Sequence, residues 1–137
     1  SKVYVIKAAI CDPQAPFHAF PAQKTMYGGK AIAAGDTIYL FASENAGGRG
    51  LVARGVVVSA EGVPRVEGIA RQTPRVSIAV RITGLARQRL GRVELKDFRN
   101  WKDDRPETEL NFKLYRQATN KIVGVTSATA DFLEGCF

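Results

Sequence analysis

Few groups in this chain can act on a substrate. His18 is its single histidine, and its two cysteines, Cys11 and Cys136, lie near opposite ends. Cys11 and His18 are in principle a nucleophile and a base, but a satisfied or solvent-facing imidazole is the commoner outcome for such a pair. A zinc centre needs more Cys and His ligands than these. There is no Gly-x-Ser-x-Gly elbow and no Walker-type loop; Gly47-Gly48-Arg49-Gly50 has the glycines of a phosphate cradle without the Lys-Ser/Thr that follows them. Asp103, Asp104, Glu107 and Glu109 read as solvated charge, not as a paired acid and base. The chain therefore reads as non-catalytic, with no cofactor and no metal.

Binding chemistry is better supplied. Phe17, Phe20, Tyr27, Tyr39, Phe41, Trp101 and Tyr115 offer aromatic surface, and a base taken out of its stack is held between such faces and read at its edges. His18, Ser43 and Asn120 can supply polar contacts. Trp101 is equally readable as core. The chain carries 20 Lys and Arg against 13 Asp and Glu, a formal charge of +7. Arginine outnumbers lysine, and its planar fork matches phosphate. This excess favours a nucleic-acid partner. Arg49, Arg54, Arg87, Arg89 and Arg116 are the candidates for gripping the backbone.

The remaining residues must position these groups. At 137 residues, one domain is expected. No apolar run approaches the roughly 18 residues that span a bilayer. The start lacks a secretory signal, so two free cysteines in a cytoplasmic protein are expected. Val3 to Ile10 is mostly apolar and reads as a central strand. Residues 14–29, with Pro16, Pro21 and Gly28-Gly29, read as an irregular aromatic loop. Gly35-Asp36 is a turn, Thr37 to Phe41 a strand, Ser43 to Gly50 a glycine-rich loop, and Leu51 to Val58 a second strand. Gly55 marks a bulge or a close approach.

Glu61 to Pro74 reads as an exposed connection. Val76, Ile78, Val80 and Ile82 alternate with Ser77, Ala79, Arg81 and Thr83, the clearest period of two in the chain, and Gly84 ends the run. Leu95, Phe98 and Trp101 recur at helical spacing after the basic stretch Leu85 to Arg92. Asp103-Asp104-Arg105-Pro106 is a break, and Thr108 to Tyr115 is a short helix or an irregular approach to a strand at Asn120 to Val125. Thr126 caps a last helix, Ser127 to Glu134. About five strands with a few short helices favour a twisted sheet curled toward a barrel.

The order of these elements resembles a known family. Lys7-Ala8-Ala9-Ile10-Cys11-Asp12-Pro13, then an aromatic loop, then Gly35-Asp36-Thr37-Ile38-Tyr39-Leu40-Phe41-Ala42-Ser43, glycines, and Leu51-Val52-Ala53-Arg54-Gly55-Val56-Val57 resemble the EVE domains of the PUA-like superfamily, with YTH and ASCH domains as more distant relatives. The resemblance implies an α+β, mainly β pseudo-barrel of five or six strands with short flanking helices. It also implies a concave pocket that takes a modified, flipped base of DNA or RNA. By position, Ala8, Ala9, Phe17, His18, Phe20, Phe41 and Ser43, with the Trp101 region, would frame that pocket. Polar residues common in the family after the first strand are Ala8 and Ala9 here. A tryptophan near that strand is absent, so Phe17 or Phe20 would stand in.

The expected function is a non-catalytic nucleic-acid-binding module, working as a monomer or weak homodimer away from membranes. Two alternatives stay open. One is an enzyme acting on nucleic acid or a nucleotide through the same pocket; the other is a protein-interaction module using the hairpin tip.

Overall fold

The computed structural model describes residues 2–117 and 120–137. Six strands close into a barrel: β1 (Val3–Ala8), β2 (Phe17–Met26), β3 (Thr37–Ala42), β4 (Gly50–Gly62), β5 (Arg75–Leu85) and β6 (Lys121–Gly124). Their order around it is β1-β3-β4-β5-β2-β6. The β1–β3 and β2–β6 pairs are parallel and the rest antiparallel. Short helices flank it: α1 (Arg92–Leu95), α2 (Pro106–Asn111), which continues as a wider helical turn over Phe112–Gln117, and α3 (Ser127–Glu134). The mainly β pseudo-barrel with flanking helices is the fold that the resemblance implied.

Successive residues of a strand face opposite sides, and this splits the apolar runs between two cores. Tyr4 and Ile6 of β1, with Ile38 and Leu40 of β3, pack inside the barrel together with Ala53, Ile78 and Val80. Val5, Tyr39 and Phe41 face outward and are covered by Leu95, Leu110, Leu114 and Leu133 of the helical layer. Both faces of β1 and β3 are thus buried, which is why they read as continuous apolar runs. Gly55 answers to both expectations. The β4–β5 register shifts between Arg54 and Gly55, and a Cβ there would lie 2.3 Å from Val80 Cγ1.

The segment expected to be irregular, residues 14–29, is corrected: most of it is strand β2. Its prolines do not break the ladder because of where they fall. Pro16 precedes the strand. Pro21 lies where the β2–β5 register shifts between Phe20 and Gln23, beside Ala22 at φ 49°. A bulge needs no N–H from that residue. The Ala22 N–H instead donates to Ser77 Oγ at 2.9 Å. Gly84, expected to end β5, lies within it. The short helix or turn expected around Leu95 to Trp101 is turn and irregular chain: α1 ends at Leu95. The break expected at Asp103 to Pro106 falls between α1 and α2, and Pro106 is the first residue of α2, a position that asks nothing of its missing N–H.

The last helix is capped as expected: the Thr129 N–H donates to Thr126 Oγ1 at 3.3 Å. Cys11 is exposed and Cys136 buried, and both are free thiols. Among the described residues no helix is long and apolar enough to cross a membrane.

Candidate nucleic-acid interface

The surface that gathers aromatic and cationic groups is built by the connection after β5. The Leu51 N–H donates to the Leu90 carbonyl at 2.8 Å, and the Ala86 N–H to the Val52 carbonyl at 2.9 Å. This ties residues 86–91 to the start of β4 and brings the exposed Arg87 and Arg89 to the same end of the barrel as Arg49. The Arg92 main-chain N–H donates to Glu44 Oε2 at 2.7 Å, and its guanidinium to Asn45 Oδ1 at 3.0 Å. Tyr115 Oη donates to Glu44 Oε2 at 2.9 Å. Burial and the Glu44 carboxylate raise that phenol far above its ordinary range.

Beneath this network lies Lys7, only 2% exposed. Its Nζ is 4.4 Å from the centre of the Tyr115 ring. Burial lowers its pKa against the pull of the Glu44 carboxylate. Lys7 carries one signal in the sequence by which it could have been found: it is the one charged residue of its apolar strand. Glu44, Arg92, Arg105 and Phe112 were missed as well, because nothing local singles them out.

Arg116 extends the surface to Trp101. Its guanidinium carbon lies 5.1 Å from the Trp101 ring centre, and the indole also tilts against Phe112 at 5.2 Å. Trp101 keeps 38% of its surface exposed. It stands on the rim of a cavity of about 440 Å³ that Arg105, Thr108, Glu109, Phe112 and Thr126 also line. The turn is held in place by the Asn111 side-chain amide, which donates to the Phe98 carbonyl at 3.0 Å, and by Arg105 stacked 4.8 Å from the Phe98 ring. Thr108 is buried, and among the described residues its hydroxyl meets no hydrogen-bond partner.

Glu109 closes the floor of this cavity. It accepts from Lys113 Nζ at 2.7 Å, from the Thr126 hydroxyl at 2.7 Å, and from the Thr129 hydroxyl. Burial works to raise its pKa, but these donors outweigh burial and hold it below the ordinary 4.5. A carboxyl lowered on folding stabilises the fold above its unfolded value and loses that contribution as pH falls through the folded one. Glu109→Gln should therefore cost about 1.5–3 kcal/mol, the range for a charged hydrogen bond. Urea unfolding at neutral pH would read this, and the gap between variant and wild type should close as pH drops below 4.5.

The other expected site residues are dispersed. Ala8 and Ser43 meet, the Ser43 N–H donating to the Ala8 carbonyl at 2.8 Å. His18 stacks on Phe20 at 6.1 Å, and its buried Nε2 has no hydrogen-bond partner among the described residues. Ala9 and Asn120 are exposed, and Phe17 is 60% exposed. None of these lines the Trp101 cavity.

Three assignments are corrected. Phe20, 6% exposed, and Phe41, fully buried, belong to the two cores and present no face for stacking. Arg54 is engaged with the protein itself. It pairs with Glu134, donates to Thr83 Oγ1 at 3.1 Å and lies 5.1 Å from the Phe137 ring. It fastens α3 to β4 rather than facing a phosphate.

No protein-family model and no curated protein matches the chain. Solved structures match it over nearly its whole length. Human THYN1 protein, in complex with 5-methylcytosine-containing DNA, is similar with a TM-score of 0.65 and 13% identity, over 98% of this chain and 96% of that one. The DUF55 domain of human thymocyte nuclear protein 1 is similar at 0.64 and 13%, over 97% and 96%. A Pseudomonas putida protein is similar at 0.65 and 12%, over 98% of each chain. Identities this low carry the fold, and the fold is the one described above.

Proposed function

We propose that the chain is a non-catalytic nucleic-acid-binding module that receives a base, unstacked from its strand, against Trp101. The observation that carries this is the half-exposed indole on the rim of the 440 Å³ cavity, with Arg116 and Arg105 beside it. One ring for stacking, flanked by guanidinium groups, suits a base and its phosphates. Arg87, Arg89 and Arg49 extend positive charge along the connected loops. Support also comes from the similarity of fold to a domain solved with 5-methylcytosine-containing DNA, so DNA carrying that base is the first ligand to test. Two carboxylates line the cavity, Asp104 and Glu109; Glu109 is committed to Lys113, Thr126 and Thr129, which leaves it no proton to trade with a substrate.

Stacking on an aromatic side chain contributes about 1–3 kcal/mol per base. Trp101→Ala should therefore weaken binding of a short oligonucleotide by about 5- to 150-fold while leaving the unfolding midpoint nearly unchanged. Fluorescence anisotropy on matched strands with cytosine and 5-methylcytosine would measure it. Trp101 is the single tryptophan, so a bound base should also quench the intrinsic emission. Equal affinity in wild type and variant, with no quenching, would remove the cavity from the reading.

A further inference from the structure

A second cavity, of about 620 Å³, lies under the connection between β4 and β5, and none of its lining residues takes part in the Trp101 site. Five cationic residues line it: Lys24 of β2, Lys30 of the turn after β2, Arg65 and Arg71 of the connection, and Arg75 at the start of β5. Among the described residues no carboxylate lines it, and none of the five is in an ion pair. Like charges this concentrated repel one another, and no ion pair among the described residues offsets them.

The connection holds its shape without a core. The Gln72 side chain accepts from the Val66 N–H at 2.8 Å and donates to the Val66 and Ile69 carbonyls at 2.7 and 2.8 Å. Arg65 donates to the Ala70 carbonyl at 3.1 Å. A loop braced by its own polar groups leaves the apolar side chains of Val66 and Ile69 exposed beside the cations.

We propose that this cavity is a second contact for the phosphodiester backbone of the same nucleic acid. Five cations in a hollow this size exceed what one phosphate group needs, whereas a strand presents a charge at every step along its length. The apolar side chains suit the sugar faces between phosphates, since positioning contacts go to phosphate and sugar together. The contact carries no sequence information; it sets affinity and its response to salt. The inference rests on the proposed nucleic-acid function, and its test separates the two.

The test is the salt dependence of oligonucleotide binding by the whole chain, wild type against Lys24→Gln/Lys30→Gln/Arg71→Gln. Arg65 and Arg75 stay in place because each donates to a main-chain carbonyl, those of Ala70 and Ala22. Every phosphate that is no longer neutralised should reduce the slope of log affinity against log salt by about 0.9 on duplex DNA, so the triple variant should show a slope shallower by about 2 to 3. Quenching of Trp101 at saturation should persist. An Arg71→Lys variant should keep the wild-type slope.

An unchanged slope in a folded triple variant would overturn the second contact and leave the Trp101 reading standing. Wild-type binding of inorganic tripolyphosphate that the triple variant loses, with equal slopes on DNA, would give the cavity to a small polyanion and equally overturn it. No binding of any oligonucleotide by wild type at low salt would overturn both.

Discussion

Replacing Phe20 with alanine should cost the barrel about 3–5 kcal/mol, the range for removing a buried aromatic ring. Phe20 is 6% exposed and packs inside the barrel with Ile78, Val76 and Ile122. It is also the ring on which His18 lies. Its removal would leave a cavity and a half-buried imidazole without its neighbour. Urea unfolding should show a lower midpoint. Any fall in oligonucleotide affinity should track the unfolded fraction and vanish where the variant is held folded. Trp101→Ala should behave in the opposite way, with affinity reduced and the midpoint kept. One ring stabilises the barrel and the other faces a ligand, although both are aromatic residues in segments that look alike as sequence. A Phe20→Ala protein as stable as wild type would mean that the ring is not in the core.

Gly50→Ala should be about as severe, at about 3–5 kcal/mol, combining backbone strain with overpacking. Gly50 has φ 90°, which a residue with a Cβ adopts only under strain. A Cβ there would stand 2.3 Å from the Leu90 carbonyl oxygen and 2.5 Å from Gly91 Cα. Both obstacles are main chain, so no side-chain rotation relieves them. The damage would fall on the junction where residues 86–91 meet β4, the same junction that carries Arg87 and Arg89. Thermal unfolding would read the stability loss. Affinity for an oligonucleotide, measured well below the variant's midpoint, should fall as well, because those arginines lose their anchor. A folded Gly50→Ala variant with wild-type affinity and midpoint would show that the two segments do not need this junction.

Much of the barrel was legible because its strands carry local signals. The alternation from Val76 to Ile82 describes β5, and the Gly35-Asp36 turn followed by Thr37 to Phe41 describes β3. Thr126 announced the last helix through a cap that needs only its own first turn. β2 was missed because Pro16 and Pro21 dominate its local pattern. A proline excludes a residue from an ordinary ladder position but not from a strand's start or a bulge, and that distinction exists only once β5 is alongside.

The candidate site was less legible, for a reason that applies to every aromatic residue in the chain. Composition supplied the rings and the cations. Which ring points where depends on the barrel's closure and on the helices that cover one side of β1 and β3. Phe41 was assigned to a pocket by its place at a strand end, yet the helical layer lies over it. Arg54 was assigned to phosphate by its charge, yet its partner is Glu134, 80 positions further along the chain.

By itself the amino-acid order determined most of the barrel's strands, the capped final helix and the surplus of positive charge, since propensity, alternation and charge act over a few neighbours. Only the tertiary structure decided that Phe20 and Phe41 are core, that Arg54 is tied to Glu134, and that Trp101 with Arg116 and Arg105 stands at an open cavity. Those outcomes depend on pairings between residues far apart in the chain, and burial of a side chain is a property of what comes to cover it.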